Sequence, residues 1–279
     1  MNKIITCIDT SIYANDVCTA GIWAAKKLSK PLVLVHAIEK KNTPAADNFS
    51  GAIGLGARSA LLAELTSLDA QHSKIAIELG KELLTQAQQC ATEQGCEQIE
   101  QVLRHGSITD VISDLEADAR LVVIGRTSKR FKALGSNIEQ IIRQVKAPIL
   151  IPNSGFTAPH SFMLAYDGRE TADKAVQRII DGGLLHGMVC HLVTVENNKK
   201  GLKENFERVS NQLATAGFTV HASFLTGNIF TALMDYKAQN DVDLLVMGAF
   251  SHSKLASIFL GSNTLRMLEH TQLPLVVLR

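Results

Sequence analysis

Aromatic residues make up only 5% of this 279-residue chain, with a single tryptophan. They are not interleaved with a basic stretch, so a base-stacking nucleic-acid surface is not expected. Neither sign of charge is in excess: 28 Lys and Arg stand against 27 Asp and Glu. That balance gives no electrostatic reason for a nucleic-acid or anionic-membrane partner. No apolar run approaches the roughly 18 residues that a membrane-spanning helix needs. The five cysteines, Cys7, Cys18, Cys90, Cys96 and Cys190, are odd in number and lack CxxC spacing. They read as buried or incidental thiols in a reducing compartment, not as a disulfide framework or a zinc site. The N-terminus, MNKIITCID, has a strand pattern and no signal-peptide pattern, so a cytoplasmic location is the expectation.

What the chain does have is apolar residues, 46% of the total, distributed with a regular alternation of patterns. Residues 3–9 read as a buried strand ending in Asp9, and 15–28 as a helix with Trp23 on its packed face. Residues 32–38 form the next strand. A polar, Gly-rich segment then leads to a long helical pattern over 59–93, in which Gly80 marks a break or a close helix contact. Strands at 98–104, 121–124 and 148–151 follow, separated by helical patterns. The second half repeats the order, beginning with SFMLAYD, so that Asp167 corresponds to Asp9 and Gly227 to Gly106. Its strands are expected at 161–167, 189–195, 219–225, 244–247 and 274–278. Strands alternating with helices of this length imply parallel sheets covered on both faces. The expected fold class is therefore α/β, with two tandem open five-stranded parallel sheets. The domains are expected at 1–153 and 160–279, joined by a short linker that holds them close.

The stretch that organises the repeat is 244–264, LLVMGAFSHSKLASIFLGSNT, with an upstream copy at 121–138, LVVIGRTSKRFKALGSNI. Each begins as a buried strand, reaches a glycine, crosses a polar loop and ends in Gly-Ser before another helical pattern. In both halves the Gly-Ser pair stands thirteen residues before a proline, Gly135 to Pro148 and Gly261 to Pro274. A spacing kept with its flanking apolar pattern argues for duplication. Glycines admit positive φ and close approach, and amides at a helix start offer donors to anionic oxygens, so the stretch is a candidate phosphate cradle.

On these features the chain resembles the universal stress protein family in its tandem form. The resemblance rests on the Asp ending the first strand of each half, the GxxG-x9-G[ST] segment and the final Pro-plus-apolar strand. It implies a strand order of 3-2-1-4-5 in each half, with a crevice between the first and fourth strands. It also implies that a bound nucleotide would place its phosphates on the glycine motif. The first-strand Asp and the end of the second strand would then meet the nucleoside. In the second half that assigns Asp167, Val195, Gly248, Ser251, Gly261, Ser262 and Asn263, with Ser251 standing where the second glycine is expected. The weaker first-half counterparts are Asp9, Gly125, Gly135 and Ser136; the loop between the two glycines is three residues shorter, and Ser128 replaces the second glycine. The implied ligand is ATP or another adenine nucleotide, with Mg²⁺, in a cytoplasmic stress-response module. In family dimers the fifth-strand edges pair, so a homodimer or an intramolecular pseudo-dimer is implied.

Each of these residues also has a plainer reading. Asp9 and Asp167 fit turn-forming aspartates satisfied within a strand-to-helix loop. The basic loop residues Arg126, Lys129, Arg130 and Lys132 fit either an anion contact or a solvated surface. The Gly-rich segment 50–58 lacks the GK[ST] ending of a P-loop and fits a lid or a packing turn. His36, His105 and His252 have no nucleophile or metal-ligand partner at recognisable spacing, and no HExxH or GxSxG occurs. Binding rather than catalysis is the expectation. The alternatives are a protein-interaction scaffold that binds no nucleotide, or a slow ATPase for which no base is identified.

Overall fold

The structure is a computed structural model describing residues 2–39, 55–126, 136–196, 200–248 and 271–278. The first half runs β1 (Lys3–Cys7), α1 (Ala14–Leu28), β2 (Leu32–Ile38), α2 (Leu55–Glu93), β3 (Ile99–His105), α3 (Ile108–Leu115), β4 (Ala119–Ile124), α4 (Ser136–Gln144) and β5 (Ile149–Ile151). The second runs β6 (Ser161–Ala165), α5 (Glu170–Gly182), β7 (Val189–Val195), α6 (Leu202–Thr215), β8 (Thr219–Leu225), α7 (Ile229–Gln239), β9 (Leu244–Gly248) and β10 (Leu275–Leu278). The expected helix after Asn263 lies outside the described residues.

Within each half the strands are parallel and follow the order 3-2-1-4-5, read as β3-β2-β1-β4-β5 and β8-β7-β6-β9-β10. The two runs meet through antiparallel pairing of β5 with β10, Ile151 opposite Leu275 and Ile149 opposite Val277. The two separate sheets expected from the sequence are therefore one continuous ten-stranded sheet, because the apolar fifth strands pair with each other.

The period of two along the strands sends alternate residues to opposite faces. Ile4, Leu32, Leu34, Leu121 and Val123 pack beneath α1 and α2, and in the second half Phe162, Leu164 and Leu192 pack beneath α5 and α6. Ile5, Val33, Val35, Val122 and Ile124 face α3 and α4, while Met163, Val193 and Leu245 belong to the same layer as Leu233 and Tyr236 of α7. Strands buried on both faces explain the near-continuous apolar runs in the sequence.

Local signals repeat with the topology. Gly106 and Gly227 both take positive φ, 128° and 99°. The residue after each caps a helix: Ser107 accepts from the amide of Asp110, and Asn228 from that of Thr231. Gly80 does not break α2. A Cβ there would lie 2.8 Å from Leu103 and 2.9 Å from His36, so glycine lets the helix sit directly on β2 and β3. Trp23 of α1 packs against the core and meets the linker, its ring edge-on to Phe156 at 5.8 Å.

Candidate functional site

In each half, the strand order reverses beside the first strand: β1 lies between β2 and β4, and β6 between β7 and β9. Open α/β sheets place ligands at this position, beyond the carboxyl ends of the strands. In the second half Leu164 of β6 is in register with Val246 of β9, so Asp167 and Gly248 leave neighbouring strands at the same end. Val195 closes β7 on the other side of β6, buried opposite Leu225. The sequence-predicted Asp167, Val195 and Gly248 are thus brought to one rim. Ser251, Gly261, Ser262 and Asn263 lie outside the described residues.

The Asp167 carboxylate is half-exposed. One oxygen accepts from the backbone amide of Arg169 at 3.0 Å, and the other lies 3.4 Å from the Arg169 side chain. Gly168, at φ 74°, supplies the left-handed residue that turns the chain into α5. Asp9 makes the same local bond, accepting from the amide of Ser11 at 3.0 Å. Both aspartates therefore shape their strand-to-helix loops, the plainer of the two readings, and the Asp167 side chain is at the same time 45% exposed. Gly248 lies under the first turn of α5; a Cβ would stand 3.2 Å from the carbonyl oxygen of Thr171. Gly125 is placed alike, its would-be Cβ 2.9 Å from Val17 of α1. Each glycine is required by helix packing as well as being available for close approach from the crevice. Gly135 lies outside the described residues, and Ser136 opens α4.

Sequence reasoning missed the polar chain that fixes the Asp167 loop. The buried Tyr166 donates its hydroxyl to Asp173 at 2.9 Å, and Arg208 of α6 donates to the same carboxylate oxygen at 2.8 Å. The Tyr166 carbonyl accepts from Thr194 at 2.6 Å. Burial and the neighbouring Asp173 push the Tyr166 phenol well above its usual range, so it remains a hydrogen-bond donor. No spacing rule flags a tyrosine beside an aspartate; only α5 and α6 meeting at Asp173 reveals the link.

Arg126 also departs from expectation. Its guanidinium is partly buried: it donates to the carbonyls of Thr271 at 2.6 Å and Leu273 at 2.8 Å, tying the end of β4 to the segment before β10. Burial lowers its pKa, but an arginine stays cationic throughout any working range. His36 is structural too, with Nδ1 2.7 Å from the carbonyl oxygen of Ile8. His105 ends β3 at an exposed edge, and His252 lies outside the described residues. Among the described residues no group of three or more His, Cys, Asp or Glu is arranged to hold a metal ion. No described helix is long and apolar enough to cross a membrane.

A parallel-stranded sheet whose strand order reverses once in each half defines the doubly wound α/β class. The particular family follows from comparison: the model of the universal stress protein family matches residues 1–152 and 194–279, and the chain belongs to that family. A curated relative, the universal stress protein Slr1230 of Synechocystis sp., is 29% identical over 287 residues, all of both chains being covered. Among solved structures, a universal stress protein from Archaeoglobus fulgidus superposes with a TM-score of 0.73 at 18% identity. That match covers 100% of this chain and 96% of the other. A second, described as a putative universal stress protein from Pseudomonas aeruginosa, gives 0.64 at 13% identity, with 100% and 93% coverage. Likeness at these identities bears on the fold alone.

Proposed function

We propose that this protein is a stress-response regulatory module that binds an adenine nucleotide at the switch point of its second half. In this reading residues 1–153 and 160–279 act as two domains, with only the second keeping a working site. The observation that carries it is the juxtaposition of Asp167 and Gly248 on neighbouring strands, at the head of a full-length GxxS-x9-GS segment. Asp167 would accept from ribose or adenine once its edge turns from Arg169, and Val195 would pack against the nucleoside. Gly261, Ser262 and Asn263 would offer backbone and side-chain donors to the phosphates. Magnesium enters as the counter-ion of those phosphates, held by their oxygens and water.

A second reading, a protein-interaction scaffold without nucleotide, is favoured by one specific fact. Both aspartates already spend an oxygen on their own loops, at 3.0 Å each. Calorimetric titration with ATP, ADP and AMP in the presence of Mg²⁺ separates the two. The nucleotide reading expects binding by at least one of them. Asp167→Ala should weaken it by about tenfold, the worth of one hydrogen bond to a charged acceptor, and Asp9→Ala should leave it unchanged. Absence of heat with all three ligands overturns the reading in favour of the scaffold.

A further inference from the structure

Helix α2 is 39 residues long, ~58 Å at the usual rise, whereas a seven-residue strand of the sheet spans only ~23 Å. Its C-terminal part is anchored, with Leu84, Ala87 and Ala91 buried against the sheet and α1. Further toward its start the anchoring ceases, and every side chain from 66 to 75 is exposed. A helix without a packed face gains little from propensity alone. Yet residues 66–79 carry three of the six large apolar side chains that stand exposed among the described residues: Leu68 at 45%, Ile75 at 54% and Leu79 at 58%. With His72 they are spaced four, three and four apart, the a/d spacing of a heptad. The same spacing continued along the helix backbone reaches positions 61 and 65, both leucine in the sequence. Leu68, Ile75 and Leu79 lie about a quarter turn or more around the helix from the face on which Gly80, Leu84 and Ala91 sit, and among the described residues no element covers them.

We propose that this stripe is a homodimer seam, packed antiparallel against the same stripe of a second copy of this chain. The argument for a second copy is self-complementarity. With position 70 at the dyad, Leu68 meets His72 of the second copy, position 65 meets Ile75, and position 61 meets Leu79. Every stripe position finds another stripe position. Lys74 of each copy comes within one helical turn of Glu64 of the other, an opposite-charge contact beside the seam. Asp69 approaches Asp69 of the second copy near the dyad, a like-charge contact that weakens the pair. A seam one helix wide belongs to the small class of interfaces, near or below ~1,000 Å², whose association is weak and reversible, so the test is set at micromolar concentrations. The strands β5 and β10 are not available for this purpose, because they pair with each other inside the chain.

Sedimentation velocity over a dilution series of the full chain, spanning ~1 to ~100 µM around the expected dissociation constant, tests the proposal. The wild-type protein should show a monomer–dimer equilibrium. The double substitution Leu68→Glu with Leu79→Glu should weaken it by about tenfold or more. The same variant should keep the wild-type circular dichroism spectrum, because both side chains are exposed. Asp69→Asn should tighten the dimer severalfold, the outcome that distinguishes charge repulsion at the dyad from generic stickiness. A wild-type protein that stays monomeric throughout overturns the proposal. So does a dimer that the double substitution leaves unchanged, since another surface would then carry it.

Discussion

Thr6 is fully buried on β1, and its hydroxyl has no hydrogen-bond partner among the described residues. The cause is the closeness of α1: a Cβ on Gly21 would lie 2.7 Å from the Thr6 methyl, leaving no room for a water. A buried hydroxyl without a partner costs free energy that a methyl of the same shape does not. Thr6→Val is therefore expected to stabilise the protein by about 1 kcal/mol, read as a higher urea midpoint at unchanged slope. His191 is the other residue with a direct thermodynamic signature. It lies on β7 with Nδ1 3.1 Å from the Tyr236 hydroxyl of α7, its ring near His221 of β8. Burial, and then His221, lower its pKa below the ordinary 6.5, while Asp243 partly opposes them. The unfolded chain thus takes up this proton at higher pH than the folded one. The His191 contribution is present above pH 6.5 and is lost as pH falls below that value toward the folded pKa. A thermal-melt series from neutral pH downward should show that loss, and His191→Gln should flatten it.

At the scale of elements, most of the architecture was legible because it rests on local rules. Apolar runs bounded by glycine and proline gave strands at 32–38, 189–195 and 219–225, the ranges observed for β2, β7 and β8. The duplicated Gly106 and Gly227, each before a capping residue, located the starts of α3 and α7. Less legible was whatever depends on where two elements touch. Gly80 read as a break or a close contact, and only the approach of β3 to α2 decides for the contact. The basic loop after Gly125 read as solvated or anion-binding, since sequence does not show that Arg126 faces the segment before β10. At the strand-end rim, the positions of Asp167 and Gly248 were readable from the apolar runs, while Val195 entered only through the family resemblance. The Tyr166–Asp173–Arg208 chain was not readable, because its members come from three elements without a spacing rule.

Across the whole molecule, the two halves are held by backbone pairing of β5 with β10 and by side chains that reach over it. Asp16 of α1 accepts from the amides of Gly155 and Phe156, and Arg126 binds two carbonyls of the opposite half. Arg126→Met keeps the aliphatic stem but leaves the Thr271 and Leu273 carbonyls without that donor. It should cost about 2–3 kcal/mol, measurable by urea unfolding, with Arg126→Lys recovering part of the loss. The antiparallel β5–β10 seam has a further implication for how such a molecule can change. Two identical subunits meeting at that seam would be obliged to share every substitution, so their crevices would rise or fail together. Once both sides belong to one chain, a mutation strikes only one of them. The partner is always present at one-to-one stoichiometry, and dilution does not separate the pair. A shortened loop after Gly125 can then persist opposite a full-length one after Gly248, because each half is free to change its own strand-end loop without changing the other.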